Sequence, residues 1–398
     1  MSTSSLSATS NNRMSAPERR ATMSLAAIFA LRMLGLFMIM PVFSVYAKTI
    51  PGGDNVLLVG IALGAYGVTQ SFLYICYGWL SDKVGRKPVI AAGLVVFAIG
   101  SFVAAGAHDM TWIIVGRVIQ GMGAVSSAVL AFVADLTAEE HRTKAMAMVG
   151  SSIGMSFALA IVGAPIVFHW LGMSGLFTLV GVFSILAVGV VLWVVPEAPK
   201  PVHVRAPFGE VLRNVELLRL NFGVLVLHAT QTALFLVVPR LLVDVGLPVA
   251  SHWKIYLPVM GLSFVLMVPA IIVAEKRGKM KPVLISAISL VLIGQLLLGS
   301  LAHTAVIVAA VLFVYFLGFN ILEASQPSLV SKLAPGNRKG AATGVYNTTQ
   351  SIGLALGGIV GGWLLKHDGA SAVFYTCSGL VLCWLMIAAK MSVPARRT

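Results

Sequence analysis

Long apolar stretches separated by short polar loops dominate this chain. A helix that crosses the hydrocarbon core of a bilayer needs about 20 mainly apolar residues. The pattern therefore predicts an all-α membrane protein with twelve transmembrane helices, at residues 22–46, 56–80, 88–107, 111–134, 145–168, 173–195, 219–241, 254–274, 283–301, 304–330, 340–365 and 370–390.

The longest loop between apolar segments, residues 196–218, divides the chain into two halves of six segments. It begins with the proline-containing stretch PEAPKPVHVRAP and continues into FGEVLRNVELLRL, whose spacing is that of an amphipathic helix. We expect an N-terminal six-helix bundle at 22–195, a cytoplasmic linker with an amphipathic helix, and a C-terminal bundle at 219–391. The ends, 1–21 and 392–398, are expected to be cytoplasmic tails. The first tail is rich in Ser, Thr and Asn and is predicted to be disordered.

The two halves resemble each other in their loops. SDKVGRKP between segments two and three is similar to AEKRGKMKP between segments eight and nine, and HRTKAMAMV before segment five is similar to NRKGAATGV before segment eleven. Each pair is offset by about half the chain, as internal duplication predicts. The two bundles should therefore be pseudo-symmetric.

Composition excludes an ordinary soluble protein, because 58% of residues are hydrophobic and only 11% are charged. The net charge of +14 does not indicate nucleic-acid binding, since the basic residues lie in loops between apolar segments. If the N terminus is cytoplasmic, 22 of the 28 lysines and arginines lie on the cytoplasmic side. This asymmetry predicts a multi-pass protein of the plasma membrane (the inner membrane of a bacterium) with both termini in the cytoplasm.

Nothing in the sequence indicates a cofactor or an enzyme. The three cysteines, Cys76, Cys377 and Cys383, lie within apolar runs without metal-ligand spacing. The sequence has no P-loop, no histidine-rich metal cluster and no nucleophile motif, which also disfavours ATP-driven transport. We expect a monomer whose partners are the lipid bilayer, protons and a small-molecule substrate.

Four ionisable residues lie well inside predicted spans: Arg32, Arg117, His228 and Glu323. Burying a charge in hydrocarbon is costly, so such residues are functional candidates. They fall on segments one, four, seven and ten. An ionisable residue on every third segment fits a three-segment repeat in which the first segment of each repeat lines a shared central cavity.

Polar residues accompany these candidates on the same helical faces. Gln120, Gln231 and Asn320 each lie three positions from a charged or titratable residue, and segment eleven adds Asn347 and Gln350 at the same spacing. The predicted substrate cavity thus contains Arg32, Arg117, Gln120, Gln231, Asn320, Asn347 and Gln350. The alternative is that such polar residues only form hydrogen bonds between helices. For Gln70, Gln295 and Asn347 the sequence supports this structural role and a functional role about equally.

Glu323 and His228 are the candidates for proton coupling. Low dielectric disfavours the charged form of a carboxyl group, which lets it take and release a proton near neutral pH. A histidine titrates in this range without help. Both residues lie at similar distances from the cytoplasmic ends of their segments. We therefore expect Glu323 to carry the proton and His228 to assist.

Four motifs resemble those of one transporter family. GWLSDKVGRK at 78–87 matches G-x-L-x-D-x-x-G-R-K, RVIQGMG at 117–123 matches R-x-x-Q-G-x-G, and Leu34-Gly35 followed by Pro41 resembles a first-helix pattern of drug antiporters. Ala134-Asp135-Leu136 with Glu139, Glu140 and Arg142 resembles the loop after helix four. Together they resemble the major facilitator superfamily, and within it the YajR-like branch of proposed proton-driven efflux transporters.

The resemblance implies a gating motif formed by Gly78, Asp82, Gly85, Arg86, Lys87, Asp135 and Arg142. In the family, the residue matching Asp82 interacts with the start of helix eleven, and the residue matching Arg86 pairs with the acid matching Asp135. The resemblance implies that this cluster latches the halves in the outward-open state. A purely topogenic loop would explain the basic residues, but not the acid among them.

The resemblance also implies a secondary transporter that works by alternating access, with proton-coupled export of small organic molecules as the leading interpretation. Helix five departs from the antiporter pattern G-x-x-x-G-P-x-x-G-G, because Gly163 is followed by Ala164 and Pro165. A proton symporter or a uniporter that imports a nutrient or metabolite is therefore the alternative. A membrane receptor or channel is an alternative of another class, disfavoured by the matched halves and the central ionisable residues. The N-terminal half of the predicted cavity offers two arginines and no acid, which argues mildly against a dedicated organic-cation pump.

Overall fold

The structure, a computed structural model, describes residues 14–123, 125–138, 141–197, 209–334 and 338–392. Every regular element among them is helical. The helices are α1 Ala16–Tyr46, α2 Val56–Val84, α3 Arg86–Ala105, α4 Met110–Met122, α5 Ser126–Asp135, α6 Arg142–Gly189, α7 Gly209–Arg213, α8 Val215–Asp244, α9 Trp253–Lys276, α10 Met280–Leu301, α11 Ala305–Leu333, α12 Lys339–His367 and α13 Gly369–Ala389.

Eleven stretches of the described residues are long and apolar enough to cross a membrane. One of them, Lys144–Val194, has 51 residues, which at 1.5 Å per residue is more than twice the thickness of the hydrocarbon core. Its helix α6 is interrupted at Gly172, where φ is 65° and ψ is −173°. A positive φ is accessible to glycine without steric cost. The break divides α6 into predicted segments five and six, and the fold has the twelve predicted spans.

The fourth span is not one continuous helix. We expected a single helix at 111–134, but α4 ends at Met122 and α5 begins at Ser126. Gly123, with φ −80° and ψ 39°, leaves the helical conformation there. A Cβ atom at Gly123 would lie 2.5 Å from the carbonyl oxygen of Gly93 on α3. The glycine thus permits a close contact between backbones.

Parts of the terminal and linker regions are helical. The tail predicted to be disordered up to residue 21 is helical from Ala16 onwards, because Ser15 and Glu18 form a capping box at the start of α1. The amphipathic helix predicted at 196–218 corresponds in the described residues to the short helix α7. Residues 1–13, 198–208 and 393–398, on which the rest of these predictions falls, lie outside the described residues.

The loops define two sides of the bundle. The basic side contains the start of α1, the start of α3 with Arg86 and Lys87, and the junction between α9 and α10 with Lys276 and Arg277. The opposite side contains the loop between α1 and α2 and the end of α8.

The two halves meet along α2 and α12 through glycine backbone. A Cβ atom at Gly60 would lie 2.2 Å from the carbonyl oxygen of Gly358, and one at Gly64 would lie 2.7 Å from that of Ala355. On the other face of α12, a Cβ atom at Gly357 would lie 2.1 Å from the carbonyl oxygen of Ala229 on α8. Glycines let these helices approach until their backbones touch. We call the contact between α2 and α12 the glycine seam.

The glycine seam closes the opposite side and the middle of the molecule. At the basic end of α12, by contrast, a Cβ atom at Gly340 or Gly344 would meet no atom within 4 Å. Lys339 and Gly340 are exposed. The closely packed part of α12 therefore lies towards the opposite side.

Candidate functional site

A small cavity lies at the middle of the bundle, between the two halves. Its wall combines apolar side chains of α1 with polar side chains of α2, α8 and α12. The lining residues are Met33, Leu36, Phe37, Gln70, Tyr74, His228, Gln350, Ser351 and Leu354.

His228, Glu323 and Gln350 meet at this cavity from three different helices. His228 Nε2 lies 2.6 Å from Gln350 Nε2 and 3.4 Å from Glu323 Oε2. His228 Nδ1 lies 3.0 Å from the carbonyl oxygen of Val224, one turn earlier in α8. The ring of Phe319 packs 6.0 Å from the imidazole, centroid to centroid. A carboxyl, an imidazole and an amide are thus assembled at this cavity, with His228 buried and Glu323 and Gln350 half-buried.

The cavity is bridged by a hydrogen bond between the halves. Ser351 Oγ on α12 donates to Gln70 Oε1 on α2, at 3.2 Å. Gln70 Nε2 in turn donates to the hydroxyl oxygen of Tyr74, at 3.1 Å. This chain of polar contacts crosses the glycine seam close to the His228 cluster.

Arg32 and Arg117 lie inside the N-terminal bundle, and both contact Tyr66. Arg32 Nη2 donates to the Tyr66 hydroxyl at 2.6 Å, and Arg32 Nη1 donates to Ser126. The guanidinium carbon of Arg117 lies 5.0 Å from the centre of the Tyr66 ring. Both arginines are buried, and the partners described for them here are neutral.

Gln120 points away from the cavity. It accepts from Arg117 Nη1 at 2.8 Å and donates to Ser101 Oγ on α3 at 2.7 Å. Both contacts lie within the N-terminal bundle. The pair Arg117 and Gln120 therefore joins α4 to α3, and the cavity lining does not include it.

The remaining predicted cavity residues also have separate surroundings. Asn320 donates to Ser263 Oγ on α9 at 2.9 Å. Gln231 is buried, and its Oε1 has no hydrogen-bond partner in the described part of the chain. Asn347 is half-buried, and its backbone carbonyl oxygen accepts from Ser351 Oγ at 3.1 Å. Of the predicted cavity and coupling residues, His228 and Gln350 line the cavity, and Glu323 contacts His228.

Ser351, Leu36 and Leu354 line the cavity although the sequence had not singled them out. Asn347, Ser351 and Leu354 follow the spacing of one helical face, which is the signal that could have identified the last two. Leu36 lies four positions after Arg32 on α1, but its apolar side chain gave no signal of its own.

The gating motif forms an ion-pair cluster at the basic side. Arg86 Nε donates to Asp135 Oδ2 at 2.7 Å, and Arg86 Nη1 lies 2.5 Å from Asp82 Oδ1 and 2.7 Å from Ser81 Oγ. Arg86 is 9% exposed. Gly85, with φ 110°, joins α2 directly to α3, which requires a glycine. The cluster thus fixes the α2–α3 loop on the end of α5.

The other members of the gating motif contribute less to the described contacts. Lys87 is half-buried, and a Cβ atom at Gly78 would meet only Ser127 Oγ, at 3.9 Å. Arg142 is the first residue of α6, and its side chain lies outside the described part. The contact between Asp82 and the start of α12 stays a prediction.

Comparison with known proteins identifies the family. The model of the Major Facilitator Superfamily matches residues 25–358. The chain belongs to this superfamily. It is 42% identical over 391 residues to the inner membrane transport protein YajR of Escherichia coli strain K12, covering 96% of this chain and 85% of that protein.

Two further comparisons agree with the superfamily. The chain is 28% identical over 352 residues to the multidrug resistance protein MdtH of Aeromonas salmonicida, covering 85% of each protein. The fold matches the xylose transporter XylE of E. coli with a TM-score of 0.78 at 14% identity, over 96% of this chain and 99% of that one. The chain is therefore a multi-pass membrane transporter and not an enzyme, as the sequence predicted.

Proposed function

We propose that this superfamily member is a proton-coupled antiporter that exports small organic molecules by alternating access. The observation that carries the proposal is the contact of His228 with Glu323 and Gln350 at the cavity between the halves. Binding of a proton at this contact would change the charge beside the cavity that His228 and Gln350 line.

The direction of transport is proposed from the relatives and from charge placement. MdtH carries the name of a multidrug resistance protein, which supports export. The excess of lysine and arginine on the basic side supports a cytoplasmic location of that side and of both termini. In this orientation the glycine seam closes the outside, and the chain works as a monomer in the inner membrane.

Proteoliposomes containing the purified protein and a trapped pH-sensitive dye would test the proposal. A gradient of an exported compound, found by screening neutral, cationic and anionic aromatic compounds, should drive protons in the opposite direction. Glu323→Gln should abolish proton movement while the compound still exchanges. Glu275→Gln, which removes an exposed carboxylate paired with Lys332, is the control and should behave as wild type.

Full proton coupling in Glu323→Gln would refute the role of Glu323. Transport that does not depend on pH in the wild type would favour a uniporter.

Proton symport of an anion is the second candidate. The observation that favours it is Arg32, which is buried beside neutral partners and whose Nε has no hydrogen-bond partner in the described part of the chain, because buried charges are normally paired. An anion would be held best when Glu323 is protonated, so proton and anion would bind together. The same vesicles distinguish the candidates, since a symporter moves protons in the direction of the compound.

A further inference from the structure

The hydrogen-bond partners of His228 determine where its protons are. Nδ1 lies 3.0 Å from the Val224 carbonyl oxygen, and a carbonyl oxygen only accepts. Nδ1 therefore carries a hydrogen whether the ring is neutral or charged. The proton that the ring gains or loses must be the one on Nε2.

Nε2 of the neutral ring is an acceptor, and the amide of Gln350 matches it. The amino group of Gln350 lies 2.6 Å from Nε2 and donates to the lone pair. An amide has a donating end and an accepting end. With the amino group turned to His228, the carbonyl oxygen Oε1 is the end left for the cavity that Gln350 lines.

Protonation of Nε2 reverses this match. The ring then presents an N–H to Gln350, and two donors face each other. The clash is relieved when the Gln350 amide turns over, so that Oε1 accepts from Nε2 and the amino group is left for the cavity. Glu323 Oε2, 3.4 Å from Nε2, stabilises the charged ring.

We propose that Gln350 is a hydrogen-bond switch, which offers the cavity an acceptor while His228 is neutral and a donor once His228 is protonated. The inference rests on the proposed proton coupling and names the cargo class that the site selects. A neutral molecule with an N–H group that only donates binds the acceptor form. It loses that bond when the proton arrives, so proton and cargo each weaken the binding of the other without sharing a position.

The titratable and charged groups described around His228 come from four other helices. Glu323 reaches it from α11, and α12 places Tyr346 one turn before Gln350. Tyr74 on α2 faces the same cavity, and α1 contributes the apolar Met33 and Phe37. Arg32 on α1 is turned towards Tyr66 and Ser126 in the N-terminal bundle.

Infrared difference spectroscopy of the purified protein tests the switch without any cargo. Between about pH 8 and about pH 5.5, a range that spans histidine titration, isotope-labelled glutamine should show a shift of one side-chain carbonyl band. Gln350→Met and Gln350→Leu should each remove that band. His228→Phe should keep the band but abolish its shift. Gln70→Met, which alters the other glutamine of the cavity, should leave the shift in place.

A shift that survives in Gln350→Met, or that persists in His228→Phe, would overturn the proposal. So would the absence of any shift in the wild type. None of these results depends on transport. Failure of the antiport proposal would instead be seen as missing proton movement in vesicles, so the two failures can be told apart.

The cargo class is tested with a matched pair of neutral dyes, 7-amino-4-methylcoumarin and 7-dimethylamino-4-methylcoumarin. Only the first has N–H donors. It should stabilise the wild type against heat, with binding about tenfold weaker at low than at high pH because one hydrogen bond is lost. Gln350→Met should remove this pH dependence. Equal effects of the two dyes, including none from either, would reject the donor class.

Discussion

Arg240 Nε on α8 donates a hydrogen bond to the Ser44 carbonyl oxygen of α1 at 2.8 Å. The bond joins the two halves at the opposite side. Ser44 lies in the last turn of α1, where carbonyl oxygens lack intrahelical partners. The guanidinium therefore satisfies a group that the helix itself cannot satisfy.

Arg240→Ala should open the opposite side. A hydrogen bond from a charged donor contributes about 1.5–3 kcal/mol, so the open form should become roughly tenfold or more populated. Faster maleimide labelling of Val56→Cys, beside Arg240 in the same surface cavity, would measure this after replacement of the native cysteines.

Arg219→Ala is the matched control, because Arg219 bonds Glu216 and the Lys390 carbonyl within the C-terminal half. Unchanged labelling in Arg240→Ala would show that the bond does not hold the halves together.

A side chain at Gly358 should keep the glycine seam from closing. A Cβ atom there would lie 2.5 Å from the carbonyl oxygen of Gly60, and overpacking of this kind costs about 1–3 kcal/mol. We expect Gly358→Val to lower the melting temperature and to increase labelling of Val56→Cys. Gly340→Val, at a position with open space, should do neither, and equal effects of the two substitutions would contradict the prediction.

The buried ion pair of Arg86 should matter more for stability than an exposed one. Asp135→Asn removes one of the two carboxylates that contact Arg86 and keeps Asp82, and a hydrogen bond to a charged group contributes about 1.5–3 kcal/mol. The exposed pair of Glu275 and Lys332 is the comparison, since such pairs contribute about 0–1 kcal/mol. Thermal unfolding in detergent should therefore show a clearly larger loss for Asp135→Asn than for Glu275→Gln. A ranking in the other order would rule out a structural role of the Arg86 pair.

Asn320 should act on stability and not on coupling. Its amide donates to Ser263 Oγ on α9, and this hydroxyl also donates to the Met260 carbonyl oxygen. Asn320→Leu removes the first bond and keeps the second, so it should lower the free energy of unfolding by about 1 kcal/mol. The ratio of protons to cargo, measured in vesicles, should stay as in the wild type. A changed ratio would place Asn320 in the transport path after all.

Hydropathy was sufficient to predict the spans, because each helix must be apolar regardless of its neighbours. It did not predict the break of the fourth span, since Gly123 leaves the helix through a contact with α3 that no local pattern encodes. Periodicity placed Arg117 and Gln120 on one face but could not tell which neighbour that face would meet. In the structure, Gln120 on this face contacts Ser101 on α3.

At the cavity too, single residues could be predicted from the sequence, but contacts between distant residues could not. The ionisable residues His228 and Glu323 were recognisable from their cost in a membrane. The bond between Gln70 and Ser351 was not, because its partners are 281 positions apart and each residue alone is an ordinary polar residue in a helix.

The glycine seam is separate from the α1 side chains that line the cavity, so the two can change independently during evolution. Its closest contacts are made by main-chain atoms, so its shape does not depend on the α1 side chains that line the cavity. Substitutions at Met33 or Leu36 can alter the cavity while the seam stays intact. A lineage with this architecture can therefore acquire new cargoes by single substitutions and keep the same moving parts.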